Sequence, residues 1–286
     1  MNEPLLHHYH IADDVLAFSS CRAGGVGEGE YSSFNINPYS GDTAEHVANN
    51  RMLLAKQLGI ETSHVLMARQ THGTTARYIG AEFLQLSSAT QQEILDGVDA
   101  LITQESNVCI GVSTADCIPI LLYDSQHHAI AAIHAGWRGT AQHIAKSVVR
   151  DMQVLCETQA ENLKAVIGVG ISLKHFEVGM EVYEAFQNAD FPMEKVAALF
   201  PVFASSENEE SYISVMEKAH LSEGKPMQKW HIDLKLCNRL DLEDAGVKRE
   251  NIYVSDICTY EKNAEYFSAR RQGILSGRIY NGILLR

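Results

Sequence analysis

Two apolar segments of seven residues, split by a short polar stretch, dominate the middle of this chain. CIPILLY (Cys117–Tyr123) and HAIAAIH (His128–His134) flank Asp124, Ser125, Gln126 and His127. Apolar runs of this length around turn-forming residues read as a β-hairpin. Pairing Tyr123 with His128 carries the register outward until Cys117 stands directly opposite His134. Opposed residues share a face, with Cβ atoms about 4.5–5.5 Å apart. A thiol and an imidazole would then lie within reach of one metal ion, or of each other.

The bulk of the chain agrees with a folded α/β protein. Its 286 residues suit one large domain or two smaller ones, and 45% hydrophobic content is ample for a core. With 23 Lys+Arg against 36 Asp+Glu the formal charge is −13. Phosphate-backbone binding needs the opposite sign, so nucleic acid is not an expected partner. No apolar run approaches the ~20 residues of a membrane span, and MNEPLLHHYHIADD has neither a basic n-region nor an h-region. The six cysteines form no C-x-x-C. These features predict free thiols and a cytoplasmic protein, a monomer or small homo-oligomer, without membrane contact.

Val15–Ser20 reads as a strand running into a Gly-rich loop through Gly24, Gly25, Gly27 and Gly29, where no Gly-Lys-Ser/Thr follows to make a phosphate-binding loop. Asp42 or Thr43 caps a predicted helix to Leu58, stopped by Gly59. Val65–Ala68 is a short strand leading into QTHG (Gln70–Gly73). Val98–Thr103 and Val108–Thr114 follow as strands around a turn at Gln104–Asn107. After the hairpin come a tight turn at Ala135–Gly139, a helix to about Cys156, a buried strand at Lys164–Gly170 and a helix in EVGMEVYEAFQ. A helix from Asp233 to Ala245 and a last strand in IYVSDI complete the pattern, with Phe191–Gly224 mixed. The expected fold class is therefore α/β, a mixed β-sheet core with flanking helices, in one catalytic domain over residues 1–286 with 1–14 as a mobile tail.

A catalytic zinc commonly takes three protein ligands and leaves a fourth position open to water. Cys117 and His134 supply two. His72, in a Gly-flanked turn just past a strand, is the best third. Asp116 neighbours Cys117 in sequence but points the other way along a strand; it is a proton shuttle or a group behind the ligands. Gly136, Trp137, Arg138 and Gly139 precede a helix, where N–H groups and the Arg138 guanidinium would suit a phosphate; an ordinary turn with Arg138 solvated is the alternative. Arg51, Arg270 and Arg271 are further anion candidates, against plain surface salt-bridging. Asn35 would hydrogen-bond ribose hydroxyls or cap its own loop.

AGGVGEGEYSSFNIN, QTHG, STADCIPILLYD, AAIHAGWRGTA and FSARRQG…GR together resemble the multicopper polyphenol oxidase, or YfiH-like laccase-domain, family. The resemblance runs from about Cys21 to Arg278. It implies a single-domain α/β fold and one zinc ion held by His72, Cys117 and His134, the trio reached from register. It further implies phosphorolysis of adenosine, inosine, guanosine and S-methyl-5'-thioadenosine, and hydrolytic deamination of adenosine, with purine nucleosides and phosphate as partners. Two departures bear on the pocket wall: Ile171, Ser172, Leu173, Lys174 and His175 stand where the family usually shows Gly-Pro-x-Cys, and Cys258–Glu261 reads CTYE for the family's CTYC.

Three other readings use the same residues. In a metal-free cysteine hydrolase, or an editing enzyme for peptidoglycan precursors, Cys117 is the nucleophile and His134 its base. A copper oxidase needs several His-x-His pairs, and only His8-Tyr9-His10 has that form. A structural zinc would need a fourth protein ligand.

Overall fold

The computed structural model describes residues 3–201 and 228–286. The chain divides into two compact units, Met1–Ser172 with Leu234–Arg286, and Leu173–Asp233.

The larger unit is built on two sheets. One has the order β1-β2-β14-β6-β3, from β1 (Leu6–Ala12), β2 (Val15–Ser20), β3 (Val65–Met67), β6 (Cys109–Thr114) and β14 (Ile279–Leu285). The other runs β13-β9-β7-β8-β5-β4, from β4 (Ala76–Ile79), β5 (Ala100–Thr103), β7 (Ile118–Asp124), β8 (Ala129–Ala135), β9 (Lys164–Ile167) and β13 (Ile252–Val254). Most neighbours are antiparallel; β3 with β6, β4 with β5, and β9 with β13 are parallel.

Side chains alternate across a strand, so each sheet offers two faces. Ala17, Ile110, Val112, Ile283 and Leu285 of the first sheet pack with Leu101, Leu121, Tyr123, Ile130, Ala132 and Val166 of the second. The intervening positions Phe18, Cys109, Tyr280 and Leu284 turn outward, against Leu54, Ala55 and Leu58 of helix Ala44–Leu58. That helix starts at Thr43, whose hydroxyl accepts from the His46 N–H, and ends at Gly59 with φ +72°, a left-handed stop that glycine adopts without strain. Helix Ile144–Leu155 packs on β8 and on helix Leu234–Asp244. The result is helix, sheet, sheet, helix.

Three details differ from expectation. The hairpin of β7 and β8 pairs Asp124 with Ala129 and Pro119 with His134, two residues from the expected register. The Asp124 carboxylate accepts the backbone N–H groups of Gln126 and His127 and meets the His127 ring, so Asp124 stays in the strand and the turn moves to residues 125–128. Residues 1–14 contain β1, paired with β2 and burying Tyr9 and Ile11, instead of a mobile tail. Val98–Thr103 and Val108–Thr114 supply strands β5 and β6 as expected, and these join different sheets. The last strand is β14, not IYVSDI. Its Asn281 and Gly282 break the apolar pattern, yet Asn281 accepts from the Ser19 hydroxyl and donates to Thr114, and Gly282 lies where a Cβ would meet the Phe18 ring at 2.7 Å.

In the smaller unit β10 (Glu177–Val178), β12 (Gln228–Ile232) and β11 (Ala197–Pro201) form an antiparallel sheet in the order β10-β12-β11, and Tyr183 of helix Met180–Asn188 stacks on Trp230 at 4.3 Å. Part of the Phe191–Gly224 stretch, from residue 202 onward, lies outside the described residues.

Candidate metal centre

His72, Cys117 and His134 come together at the rim between the two sheets. His134 is next to last in β8, on the face turned towards the first sheet, in phase with Ile130 and Ala132. Cys117 lies in the crossover from β6 to β7, and His72 in the crossover from β3 to β4. One ligand atom of each lies within 4.8 Å of the other two. The two imidazoles meet edge to face at 4.8 Å between centroids. His134 is buried, Cys117 half-buried and His72 exposed, so the cluster opens to solvent on one side.

Extending the observed register places Gly136 opposite Cys117. A Cβ on Gly136 would stand 2.8 Å from His72 Cδ2, 3.3 Å from Cys117 Sγ and 3.5 Å from His134 Cε1. Any other side chain there would fill the space on which the three ligands converge. This hollow, with one sulfur and two imidazoles around it, fits a metal ion with an open coordination position.

Asp99 organises the cluster and went unnoticed in the sequence. It stands opposite His134 across β5 and β8, and its carbonyl accepts the His134 N–H at 2.8 Å. Its Oδ1 meets His134 Nδ1 at 2.8 Å and accepts the His72 N–H at 2.9 Å. Oδ2 accepts the N–H groups of Gly73 at 2.8 Å and Thr71 at 3.2 Å. One fully buried carboxylate thus fixes the His134 ring and the whole QTHG turn, holding His72 at φ +62°, a left-handed conformation that is strained for this residue. A proton on Nδ1 towards Asp99 leaves Nε2 as the metal-facing lone pair. The signal available was a lone acid inside the apolar run VDALIT, since buried carboxylates are expensive without partners.

The electrostatics follow from this packing. Burial alone pushes the Cys117 thiol up, but His134 and then His72 outweigh it and bring the thiol down to about 6 from 9.0. Burial lowers His134, while Cys117 and Asp99 raise it to about 9 from 6.5. Burial raises Asp99, yet His134 and the backbone N–H groups of Gly73 and Thr71 hold it below its usual 3.8. The pair is set up as thiolate and imidazolium in the absence of a metal.

The remaining candidates are dispersed. Asp116 is buried, and both carboxylate oxygens accept protein donors. Asn35 is fully buried; it donates to Ser40 and Asp42 and accepts from the N–H groups of Asn37 and Arg278, which is the loop-capping arrangement. Arg51 donates to the Val65 carbonyl at 2.6 Å, joining its helix to β3. Arg138 is exposed and stacks over the Trp137 ring at 4.2 Å. Arg270 is exposed, and Arg271 stacks on Tyr260 and donates to its carbonyl. The charge of Arg278, which was not among the anion candidates, interacts with Cys117 and Asp116; its guanidinium donates to the carbonyls of Ile274, Ser276 and Gly277. Of the departures from the family pattern, Ser172 caps Cys258, donating to its sulfur from N–H and hydroxyl.

Residues 16–286 match the family model described as multi-copper polyphenol oxidoreductase laccase. The chain belongs to this family. It is 44% identical over 272 residues to a purine nucleoside phosphorylase of Bacteroides thetaiotaomicron, covering 95% of this chain and 92% of that one. It is 39% identical over 273 residues to an adenosine deaminase from an unknown prokaryotic organism, covering 95% and 94%. Among solved structures it resembles the YfiH protein of Bacillus licheniformis, with a TM-score of 0.81 and 26% identity over 100% of this chain and 97% of that one. YlmD from Geobacillus stearothermophilus aligns with a TM-score of 0.80 and 28% identity over 97% and 94%. The mixed α/β architecture expected from the sequence is that of these family members. In the described residues no helix is long and apolar enough to cross a membrane.

Proposed function

We propose that this protein is a zinc-dependent purine nucleoside enzyme, which phosphorolyses adenosine, inosine, guanosine and S-methyl-5'-thioadenosine and hydrolytically deaminates adenosine. The observation that carries this reading is the convergence of His72, Cys117 and His134 around the hollow at Gly136, in a chain whose relatives bear the names purine nucleoside phosphorylase and adenosine deaminase. A zinc ion held there would act as a Lewis acid and make water a nucleophile near neutral pH.

The chain's own part is to hold and to orient. Asp99 accepts the Nδ1–H hydrogen bond of His134 and so leaves Nε2 free for ligation. Cys117 enters as thiolate, and His72 closes the ligand set from the solvent side. In phosphorolysis the attacking anion needs positive charge beside it, and the departing purine needs charge stabilisation. Arg138, two residues after Gly136 in the chain and exposed, is the proposed phosphate contact, with Arg270 second; Arg278 supplies the positive field at Cys117. Arg51 and Asn35 serve the reading as supports of the surrounding loops.

One sulfur with two imidazoles also suits copper. A multicopper oxidase needs further histidine-bound copper, however, and His8 and His10 project from β1 into solvent, outside any cluster of three metal-binding side chains among the described residues. The depressed thiol of Cys117 beside His134 favours one second reading, a metal-free cysteine hydrolase. Zinc analysis of tag-free protein separates the two: about one equivalent supports the nucleoside enzyme, whereas none, with hydrolysis lost to iodoacetamide, supports the hydrolase. Incubation with adenosine, with and without phosphate, tests the reaction. Adenine formed only with phosphate, and inosine formed in both, are expected; unchanged adenosine overturns the reading.

A further inference from the structure

Asp116 immediately precedes Cys117, in the short crossover between β6 and β7, with φ +93°. A proton shuttle needs a carboxylate turned to substrate. Here Oδ1 accepts from the Thr259 hydroxyl at 2.6 Å and Oδ2 accepts the Arg270 N–H at 2.7 Å. The Asp116 carbonyl accepts the Ile171 N–H at 2.9 Å. Thr259 is fully buried and its own N–H donates to the Gly170 carbonyl. Three separate segments, around residues 171, 259 and 270, are thus tied to the residue before a metal ligand.

We propose that Asp116 is a positioning residue, which sets the Cys117 sulfur by anchoring its crossover to Thr259 and to the first turn of Ala269–Gln272; this rests on the reading of the site as that of a zinc-dependent nucleoside enzyme. The same bonds place the chain that carries Arg270 and Arg278 against the metal site. Asparagine keeps this arrangement. Its amide oxygen accepts from Arg270, its amide nitrogen donates to the Thr259 hydroxyl, which turns from donor to acceptor, and it tolerates positive φ. Alanine keeps none of it. A shuttle behaves in the opposite way, because an amide carries no transferable proton at neutral pH.

The test compares wild type, Asp116→Asn, Asp116→Ala, Thr259→Val and the Asp116→Ala/Thr259→Val double variant for zinc content at a fixed free zinc concentration, and for kcat and KM with adenosine and phosphate. Displacing a catalytic group by about 1 Å costs roughly 10²-fold. Asp116→Ala and Thr259→Val are therefore expected to lose about that factor in kcat/KM together with part of their zinc. Asp116→Asn should recover most of both, and the double variant should be no worse than Asp116→Ala. Asp116→Asn as inactive as Asp116→Ala at full zinc content would overturn the proposal in favour of proton transfer. Wild-type zinc and kinetics in Asp116→Ala would overturn it outright. A wild type inert towards adenosine counts against the nucleoside reading alone, and zinc content across the same variants still decides the role of Asp116.

Discussion

Replacing Asp99 tests the architecture of the site at its most connected atom pair. In Asp99→Ala the imidazole of His134 and the N–H groups of His72, Gly73 and Thr71 lose their acceptor together. Removing one partner of a buried ionic pair costs about 3–5 kcal/mol. For 286 residues the unfolding entropy near the midpoint is about 0.6 kcal/mol/K, so the expected fall in Tm is roughly 5–8 °C. Asp99→Asn is the sharper variant. With its oxygen towards His134 and His72, the amide NH2 confronts the Gly73 and Thr71 N–H groups. Turned over, the NH2 confronts His134 Nδ1 and favours the tautomer with a proton on Nε2, which blocks ligation. Neither orientation satisfies four donors, and each stranded group costs about 1–3 kcal/mol. Loss of such an outer partner typically weakens metal binding about 10–100-fold. Competition against a chromophoric chelator measures this directly, and calorimetry of the metal-free protein measures the stability term. Zinc affinity and Tm both unchanged in Asp99→Asn would refute the claim that this carboxylate builds the site.

Gly136→Ala adds a methyl 2.8 Å from His72 Cδ2 and close to both other ligands; zinc content should fall well below one equivalent while the circular dichroism of the fold persists. In metal-free protein, alkylation of Cys117 by iodoacetamide should be half-maximal near pH 6, where its depressed titration lies, rather than at the ~8.5 of a free cysteine. The sign is that of an acid lowered by folding: the thiolate's stabilisation is present above the ordinary thiol range and is lost as pH falls through about 6. Zinc added beforehand should protect the thiol, and a rate that rises only above pH 8 would contradict the ion-pair geometry.

The convergence of His72, Cys117 and His134 was legible in the sequence even though the hairpin register behind two of them was not. Side chains on a strand repeat every two residues, so a slip of one would have sent Cys117 and His134 to opposite faces, while the observed slip of two keeps their phase. The cause of the slip, the Asp124 carboxylate folding back on Gln126 and His127, is a local contact that apolar periodicity does not register. The strand β14 was hidden for a related reason. Its Asn281 and Gly282 are polar or bare only in isolation; in the sheet one completes a buried hydrogen-bond chain from Tyr9 through Ser19, and the other admits the Phe18 and Tyr280 rings. Asp99 was hidden because its partners, at residues 71–73 and 134, are distant in sequence.

Two of the three converging residues, His72 and Cys117, lie in crossovers between the sheets, which explains why a fold of this kind concentrates chemistry there. The connections from β3 to β4 and from β6 to β7 each pass from one sheet to the other. Such crossovers run over the rim of the sandwich, where backbone groups have no ladder to join and must find side-chain partners. The first crossover finds Asp99 and presents His72; the second presents Asp116, bound to Thr259 and Arg270, and then Cys117. Both depart from right-handed backbone at the functional turn, at His72 and at Asp116. The strain is sustained by buried carboxylate bonds that themselves require the two sheets to be packed. A metal ion joining the two crossovers to β8 would therefore close the rim, and its binding free energy would add to the stability of the folded sandwich.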